Sequence, residues 1–356
     1  MPGHPRILLV RTDRLGDVIL TLPMLPLLRQ AMPHAHISLL LNRYTGEVVQ
    51  GNPHVDTILW YDGPDGLVPF GSMRSAIRRE EFDSVVVVHP TLRLAWLMFR
   101  AGIPERIGTG YRAYSFLFNR RVYEHRKDAR RHELEYNLQL LRVLGCPVPD
   151  GNFSPDFSIV VPKTAGDRVA ALLRRSGIDP ESRPVIVHPG SGGSAREWPI
   201  ASFGLLAERL AKDRPVIVTG SEGESVRAET VVRGSNGRAV SFAGKLGLMD
   251  LAALLGRAGV MISNSTGPLH LAVAVGTPVV GLYPRQTAMS ARRWGPYAEA
   301  SRVLTPDASI ECSECTGSPG EHCACMASIG VDQVVRAALD LLGEPARDRS
   351  RVAHEA

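Results

Sequence analysis

The stretch LLVRTDRLGDVILTLP, Leu8 to Pro23, runs from an apolar strand pattern into a charged turn and then into a second apolar segment. Arg11, Asp13 and Arg14 precede a Gly16-Asp17 pair at that junction. In open α/β sheets the crevice beyond the carboxyl end of a strand is where ligands bind, so Asp17 is a candidate for chemistry. The simpler alternative is that Asp17 caps a helix.

The same texture recurs outward from this stretch. ILLV (7–10), HISLLL (36–41), TILW (57–60) and SVVVV (84–88) alternate with segments of helical spacing, which predicts a parallel sheet with helices on both faces. HELEYNLQLLRVLG (132–145) reads as a helix closed by Gly145, and the Pro-, Gly- and Asp-rich passage after it reads as a connector. A second series follows: PVIVHPG (184–190), PVIVTG (215–220), AVSFAG (239–244), VMISN (260–264) and TPVVGLYP (277–284). At 356 residues the chain has the length of two domains. The expected division is 1–160 and 161–343, both doubly wound, with a polar, frayed tail at 344–356. Ligands of such pairs normally lie in the cleft between the domains.

Composition narrows the function. Hydrophobic residues make up 44% and charged residues 22%, as in an ordinary soluble globular protein. No apolar run reaches the roughly 18 to 20 residues of a membrane span, and the N-terminus lacks a signal-peptide core. The expectation is a cytoplasmic protein. The formal charge of +5 is unevenly spread, with ten Lys or Arg against three acidic residues between Arg93 and Arg131. Such a run is either a solvated face or a site for an anionic ligand. Nucleic acid is disfavoured, because aromatics are sparse and no helix-turn-helix, RNA-recognition or zinc-finger pattern occurs.

Three further segments carry candidate chemistry. HPGSGGSAREWP, His188 to Pro199, places Ser191, Gly192, Gly193 and Ser194 directly after a strand. Their N–H groups can turn toward an anion, with Arg196 adding charge, although the pattern is neither a Walker loop nor GxGxxG. ISNSTGPLHLAVAVGTPVV, Ile262 to Val280, has Ser265 or Thr266 as cap, Gly267 and Pro268 at the helix start, and Gly276 at its end. That helix start is a natural phosphate site, and His270 follows within it. GSEGE, Gly220 to Glu224, offers a carboxylate to ribose hydroxyls. Each of these also has a structural reading as cap, loop or core residue. Finally, Cys312, Cys315, Cys323 and Cys325 form a CxxC and CxC cluster, which is compatible with a structural zinc, with reduced thiols or with a disulfide.

In order along the chain, RTDRLGDVILTLPMLPLLRQAMP, HELEYNLQLLRVLG, HPGSGGSAREWP, GSEGE and FAGKLGLMDLAALLGRAGVMISNSTGPLHLAVAVGTPVVGLYP resemble the ADP-heptose:lipopolysaccharide heptosyltransferase family, glycosyltransferase family 9. The resemblance implies a GT-B fold: two Rossmann-like domains facing across a cleft, acceptor on the N-terminal side and nucleotide-sugar donor on the C-terminal side. It implies an inverting, metal-independent transfer with no required cofactor. The sugar would be heptose from ADP-heptose, passed to a lipopolysaccharide core or related glycan. It places the general base on Asp17 and donor phosphate contacts on Arg196, Thr266 and Gly267. The nucleotide contact falls on Glu224, and Arg11 and His132 fall near the acidic acceptor sugar. Arginine stands at 196 where the family usually has lysine. Ser265 stands where family members carry a carboxylate that contacts the donor sugar.

Within that reading, Arg14, Arg93 and Arg112 join the acceptor-side residues. Basic residues among Arg93, Arg106, Arg112, Arg120 and Arg121 would meet an anionic lipid-linked or polysaccharide acceptor, or the inner membrane surface in transient contact. A nucleotide-sugar epimerase of similar architecture and a non-catalytic nucleotide-sugar or glycan-binding protein are the alternatives.

Overall fold

The structure is a computed structural model that describes residues 4–149, 151, 153–310 and 325–343. The chain divides into two compact units, Met1–Arg126 with Arg131–Val160, and Lys127–Arg130 with Val161–Ala356. The expected tail at 344–356 lies outside the described residues.

The first unit holds β1 (Arg6–Val10), β2 (His36–Leu41), β3 (Thr57–Trp60), the hairpin β4 (Asp62–Gly63) and β5 (Gly66–Leu67), then β6 (Ser84–Val87), β7 (Glu105–Thr109) and β8 (Arg120–Val122). Its six-stranded sheet has the order β3-β2-β1-β6-β7-β8, parallel throughout, with Val10 opposite both Leu40 and Val87. The second unit holds β9 (Val185–His188), β10 (Val216–Val218), β11 (Val240–Ser241), β12 (Val260–Asn264), β13 (Val279–Leu282) and β14 (Ser301–Leu304). These form a second six-stranded sheet in the order β11-β10-β9-β12-β13-β14, also parallel. Both sheets are thus doubly wound in the Rossmann manner, as expected from the alternating apolar runs.

The central strands read as unbroken apolar runs because helices cover both faces. Val185, Val187, Val216, Val218, Val260 and Ile262 are all at or below 1% exposure in the core of the second unit. Leu8, Val10, Val85 and Val87 play the same part in the first. The sequence patterns miss β7, β8 and β14, whose residues ERIGT, RRV and SRVL are charged. β8 and β14 are edge strands, where charge discourages pairing with another chain. Among the described residues no helix is long and apolar enough to cross a membrane.

In each sheet the chain winds one way from its first strand and the other way from its fourth. The crevice outside the carboxyl ends of strands opens at this reversal, between β1 and β6 in the first unit and between β9 and β12 in the second.

Two helices of the second unit, Ile200–Leu210 and Ser225–Gly234, cross through glycine. A Cβ on Gly204 would come within 2.9 Å of the Gly234 Cα, a backbone atom that cannot swing aside. Gly204→Ala is expected to lose about 1–3 kcal/mol to this overlap, more than the up to ~1 kcal/mol of helix propensity it gains. Gly166→Ala, in the helix Lys163–Arg175 with nothing within 4 Å of the new methyl, keeps only the gain. Urea denaturation of the two variants checks this: Gly204→Ala should lower the midpoint and Gly166→Ala raise it.

Candidate functional site

The crevice of the first unit collects charge around one guanidinium. Arg11 directly follows β1, and its side chain is only 2% exposed. Its Nε donates to Asp13 Oδ1 at 2.7 Å and its Nη2 to Asp17 Oδ1 at 2.5 Å. Its Nη1 lies 3.4 Å from Asn137 Oδ1 and 3.8 Å from Glu133 Oε1. Arg126 holds the same two residues, donating to Glu133 at 2.5 Å and Asn137 at 2.9 Å. Asn137 Nδ2 donates to the Leu20 carbonyl at 3.0 Å, fastening the helix Glu133–Arg142 to the segment that follows Asp17. Beyond β6, His89 Nδ1 stands 3.0 Å from Asp13 Oδ2.

Asp17 lies in the first turn of the short helix Leu15–Ile19. Arg14 is the residue at the cap position, without a side-chain capping bond, so capping is not what occupies Asp17. Its carboxylate, 16% exposed, belongs to a cluster of three carboxylates and two guanidiniums. Burial pushes its proton affinity up; Arg11 pulls it down, while Asp13 and Glu133 push it up again, and the net is above the usual carboxylate range. For Asp13 burial acts in the same direction, but Arg11 and His89 outweigh it and hold that carboxyl low. Burial alone would loosen the Arg11 proton, yet Asp17, Asp13 and Glu133 together bind it more firmly. The result is one carboxylate suited to taking a proton beside one that stays ionised.

The crevice of the second unit is built differently. Gly192 and Gly193 take φ of +55° and +72°, which L side chains rarely adopt, and wrap the loop around a buried carboxylate. Glu197 Oε1 accepts from the Ser191 N–H at 2.9 Å and its hydroxyl at 2.8 Å, and Arg227 holds the other oxygen. The Ser194 hydroxyl reaches the Ser191 carbonyl at 2.6 Å and the Ser265 carbonyl at 3.0 Å. At the end of β12, Asn264 Oδ1 accepts from the Trp198 N–H at 2.9 Å and its Nδ2 donates to the Pro189 carbonyl at 2.8 Å. The glycine loop and the strand exit are therefore one piece.

The helix Gly267–Ala274 starts from that exit, with Thr266 at the cap position, proline in the first turn and no side-chain capping bond. Gly276, with φ of +80°, closes its far end. Ser265, expected as a possible cap, precedes the cap position, and the nearby buried Tyr283 hydroxyl donates to the Trp294 carbonyl at 2.7 Å. Arg196, just after the glycine loop, and His270, within this helix, are buried at 5% and 4% exposure. Burial keeps the His188 imidazole neutral to lower pH than usual, against the pull of Glu224. Glu224 Oε2 accepts from the Ser221 N–H and hydroxyl, each at 2.8 Å. Burial opposes its ionisation, but those bonds, His188 and Arg227 outweigh it. Its Oε1 lies where a Cβ on Gly190 would fall, 1.8 Å away, so only glycine at 190 leaves room for it.

Three residues expected to face an acceptor are committed inside the first unit. Arg11 spends its guanidinium on carboxylates, as described. His132 caps the helix Glu133–Arg142, its Nδ1 accepting from the Leu134 N–H at 3.2 Å. Arg93 donates to the Tyr61 hydroxyl at 2.9 Å and the Val68 carbonyl at 2.8 Å, pinning the hairpin region. Arg14 and Arg112 are exposed, and among the described residues the Arg14 guanidinium has no hydrogen-bond or ion-pair partner. The sequence patterns overlook Asp13, His89, Arg126, Glu133 and Asn137 in this unit, and Glu197, Arg227 and Asn264 in the other. One signal was available: Glu133 and Asn137 stand four apart on one helix face among leucines, where polar side chains need a buried partner.

Residues 70–320 match the pattern of Glycosyltransferase family 9 (heptosyltransferase). The chain belongs to glycosyltransferase family 9. A provisionally described glycosyltransferase of Haemophilus influenzae is 28% identical over 84% of this chain and 88% of its own. The solved family 9 glycosyl transferase of Veillonella parvula shares the fold with a TM-score of 0.80 at 23% identity, covering 96% of this chain and 97% of that one. The Escherichia coli ADP-heptose LPS heptosyltransferase II does so with a TM-score of 0.76 at 20% identity, covering 95% and 98%. As a family 9 member the protein is a glycosyltransferase, which sets aside both the epimerase and the non-catalytic alternatives.

Of the cysteine cluster in this family 9 chain, Cys312, Cys315 and Cys323 lie outside the described residues, while Cys325 is buried in the second core. Among the described residues no group of three or more His, Cys, Asp or Glu side chains is arranged to hold a metal, so nothing here supports the zinc expectation. The glycine loop depends instead on Glu197. Glu197→Ala would leave the buried Ser191 N–H unpaired and its hydroxyl with only the Ala195 carbonyl at 3.3 Å, and is expected to cost about 1–3 kcal/mol, read as a lowered melting temperature. Glu197→Gln, which keeps an acceptor oxygen, should recover part of that loss.

Proposed function

We propose that this enzyme moves heptose from ADP-heptose onto a hydroxyl of an anionic, lipid-linked lipopolysaccharide-core or related glycan, with inversion and without a metal ion. The observation that carries the reading is the Asp17 carboxylate: partly exposed, raised in proton affinity and fixed by Arg11 at the crevice of its sheet. Asp17 accepts the proton of the acceptor hydroxyl as that oxygen forms its bond to the anomeric carbon. The bond from that carbon to the diphosphate oxygen breaks, and the nucleoside diphosphate leaves with the electron pair. Attack opposite the leaving group inverts the anomeric centre in a single displacement.

Charge gathering on the departing diphosphate needs a positive environment. Arg196, the N–H groups of Gly192 and Gly193, and Thr266 and Gly267 at the start of the helix Gly267–Ala274 supply one without a metal, whereas the Ser191 and Ser194 N–H groups, also expected to face the anion, are spent on Glu197 and the Ser191 carbonyl. Glu224 keeps Oε2 on Ser221 and offers Oε1 to a ribose hydroxyl. Arg11 acts as a positioning residue, and the unpaired Arg14 guanidinium is the acceptor-side cation. His270, buried in that helix, packs behind the donor turn. The reaction would run on the cytoplasmic face of the inner membrane, where a nucleotide sugar and a lipid-linked acceptor meet. The heptosyltransferase pattern matched by residues 70–320 supports the choice of sugar, while Ser265 is the position at which donor preference would diverge.

Asp17→Asn is expected to lower turnover by about 10²- to 10⁴-fold with donor affinity little changed; near-normal turnover would remove Asp17 as the base. In the wild-type enzyme, activity should be present above the Asp17 pKa and fall as pH drops through it. The midpoint should stand above the ordinary carboxylate value of about 4. Arg196→Ala should chiefly weaken donor use. In a melting-temperature panel of ADP-, GDP- and UDP-sugars, the ADP-sugar should stabilise the wild type most and this variant least. Preferential stabilisation by a GDP- or UDP-sugar would overturn the donor assignment.

A further inference from the structure

Half of the large hydrophobic side chains exposed among the described residues fall between positions 92 and 123 of the first unit. Leu92, Trp96 and Phe99 stand at i, i+4 and i+7 on the helix Leu92–Ala101, at 59%, 42% and 44% exposure. They form one outward stripe, while Leu94, Ala95, Leu97, Met98 and Ala101 of the same helix are buried. The turn Ser115–Leu117 packs against this helix and presents Phe116, 70% exposed. Arg106 joins the two pieces: its guanidinium lies 5.4 Å from the Phe99 ring centroid and donates to the Leu117 carbonyl at 2.8 Å. Arg100 stacks similarly over Trp96 at 5.6 Å. Across positions 92–123 there are six arginines and one acid, Glu105.

We propose that this face is the surface by which the enzyme docks on an anionic lipid bilayer, with Trp96, Phe99 and Phe116 entering the headgroup region and the arginines meeting lipid phosphates. Aromatic rings beside cations are the composition that partitions into a membrane interface. Charge also selects among occupants. Arg93 and Arg106 are spent on Tyr61 and on backbone carbonyls, but Arg100, Arg112, Arg120 and Arg121 are exposed; a second copy docked face to face would set these four against one another, whereas an anionic bilayer complements them. The stripe begins three residues after His89, whose ring contacts Asp13, so it starts at the rim of the Asp17 cluster. From the proposed function this inference takes only that the acceptor is lipid-linked.

The test is flotation of the full chain, without substrates, on vesicles rich in phosphatidylglycerol and on vesicles of phosphatidylcholine alone. The protein should float with the anionic vesicles and be released by salt, and it should float poorly with the neutral ones. The triple variant Trp96→Ala, Phe99→Ala, Phe116→Ala should bind at least about tenfold more weakly with an unchanged melting temperature. Should it fail to fold, Phe116→Ser, at the most exposed aromatic of the patch, should still weaken binding several-fold. Equal binding to both vesicles, no binding at low salt, or full binding by the variants would overturn the inference. So would a dimer in solution that the triple variant dissociates, which would make a second copy the occupant. Turnover on a soluble, delipidated acceptor is measured in parallel; it reports on the transferase reading alone, so the two can fail separately.

Discussion

A guanidinium removed from water persists only where anions surround it, and Arg11 meets that condition by drawing Asp13, Asp17 and Glu133 onto itself. The arrangement of the first unit's crevice follows from this requirement. Three carboxylates would not gather without a cation among them, and two guanidiniums are too few to satisfy all three fully. Asp17 carries part of that shortfall, because its proton affinity rises while that of Asp13 falls. A single buried cation therefore both fixes a carboxylate in space and leaves it basic.

The second unit uses the opposite polarity at the corresponding place in its sheet. There a buried carboxylate, Glu197, organises the loop by accepting from Ser191 and Arg227. Among the described residues the Gly192 and Gly193 N–H groups take no part in that network. Topology decides where each constellation lies, because both follow the first and fourth strands of their sheets. The turn residues decide its sign. Two copies of one architecture thereby carry opposite charge patterns at the same place in their sheets.

Much of this was legible in the sequence where the physics is local. The runs HISLLL and VMISN coincide with β2 and β12, because interior parallel strands must be apolar along their length. Glycines with positive φ and a proline in a first turn marked the donor-side loop and helix for the same reason. Contacts across distant segments left no such mark. Arg11 and Asn137 are 126 residues apart in the chain, and nothing in the pattern around either one points to the other. That is why Arg11 read as an acceptor contact and emerged as a buried anchor. His132 was misread in a related way: its capping role depends on a hydrogen bond to the Leu134 N–H that only the helix geometry supplies. The edge strands β8 and β14 escaped because charge, which suits an exposed rim, hides strand character.

Asn264 carries a consequence of another kind. By spanning Pro189 and Trp198 it welds the glycine loop to the β12 exit, and the next position, Ser265, contributes its backbone carbonyl to that joint. The Ser265 side chain is therefore not part of the weld. Such a frame lets the side chain at 265 drift in chemistry over evolutionary time while the backbone around it holds still, without the loop first learning to fold again.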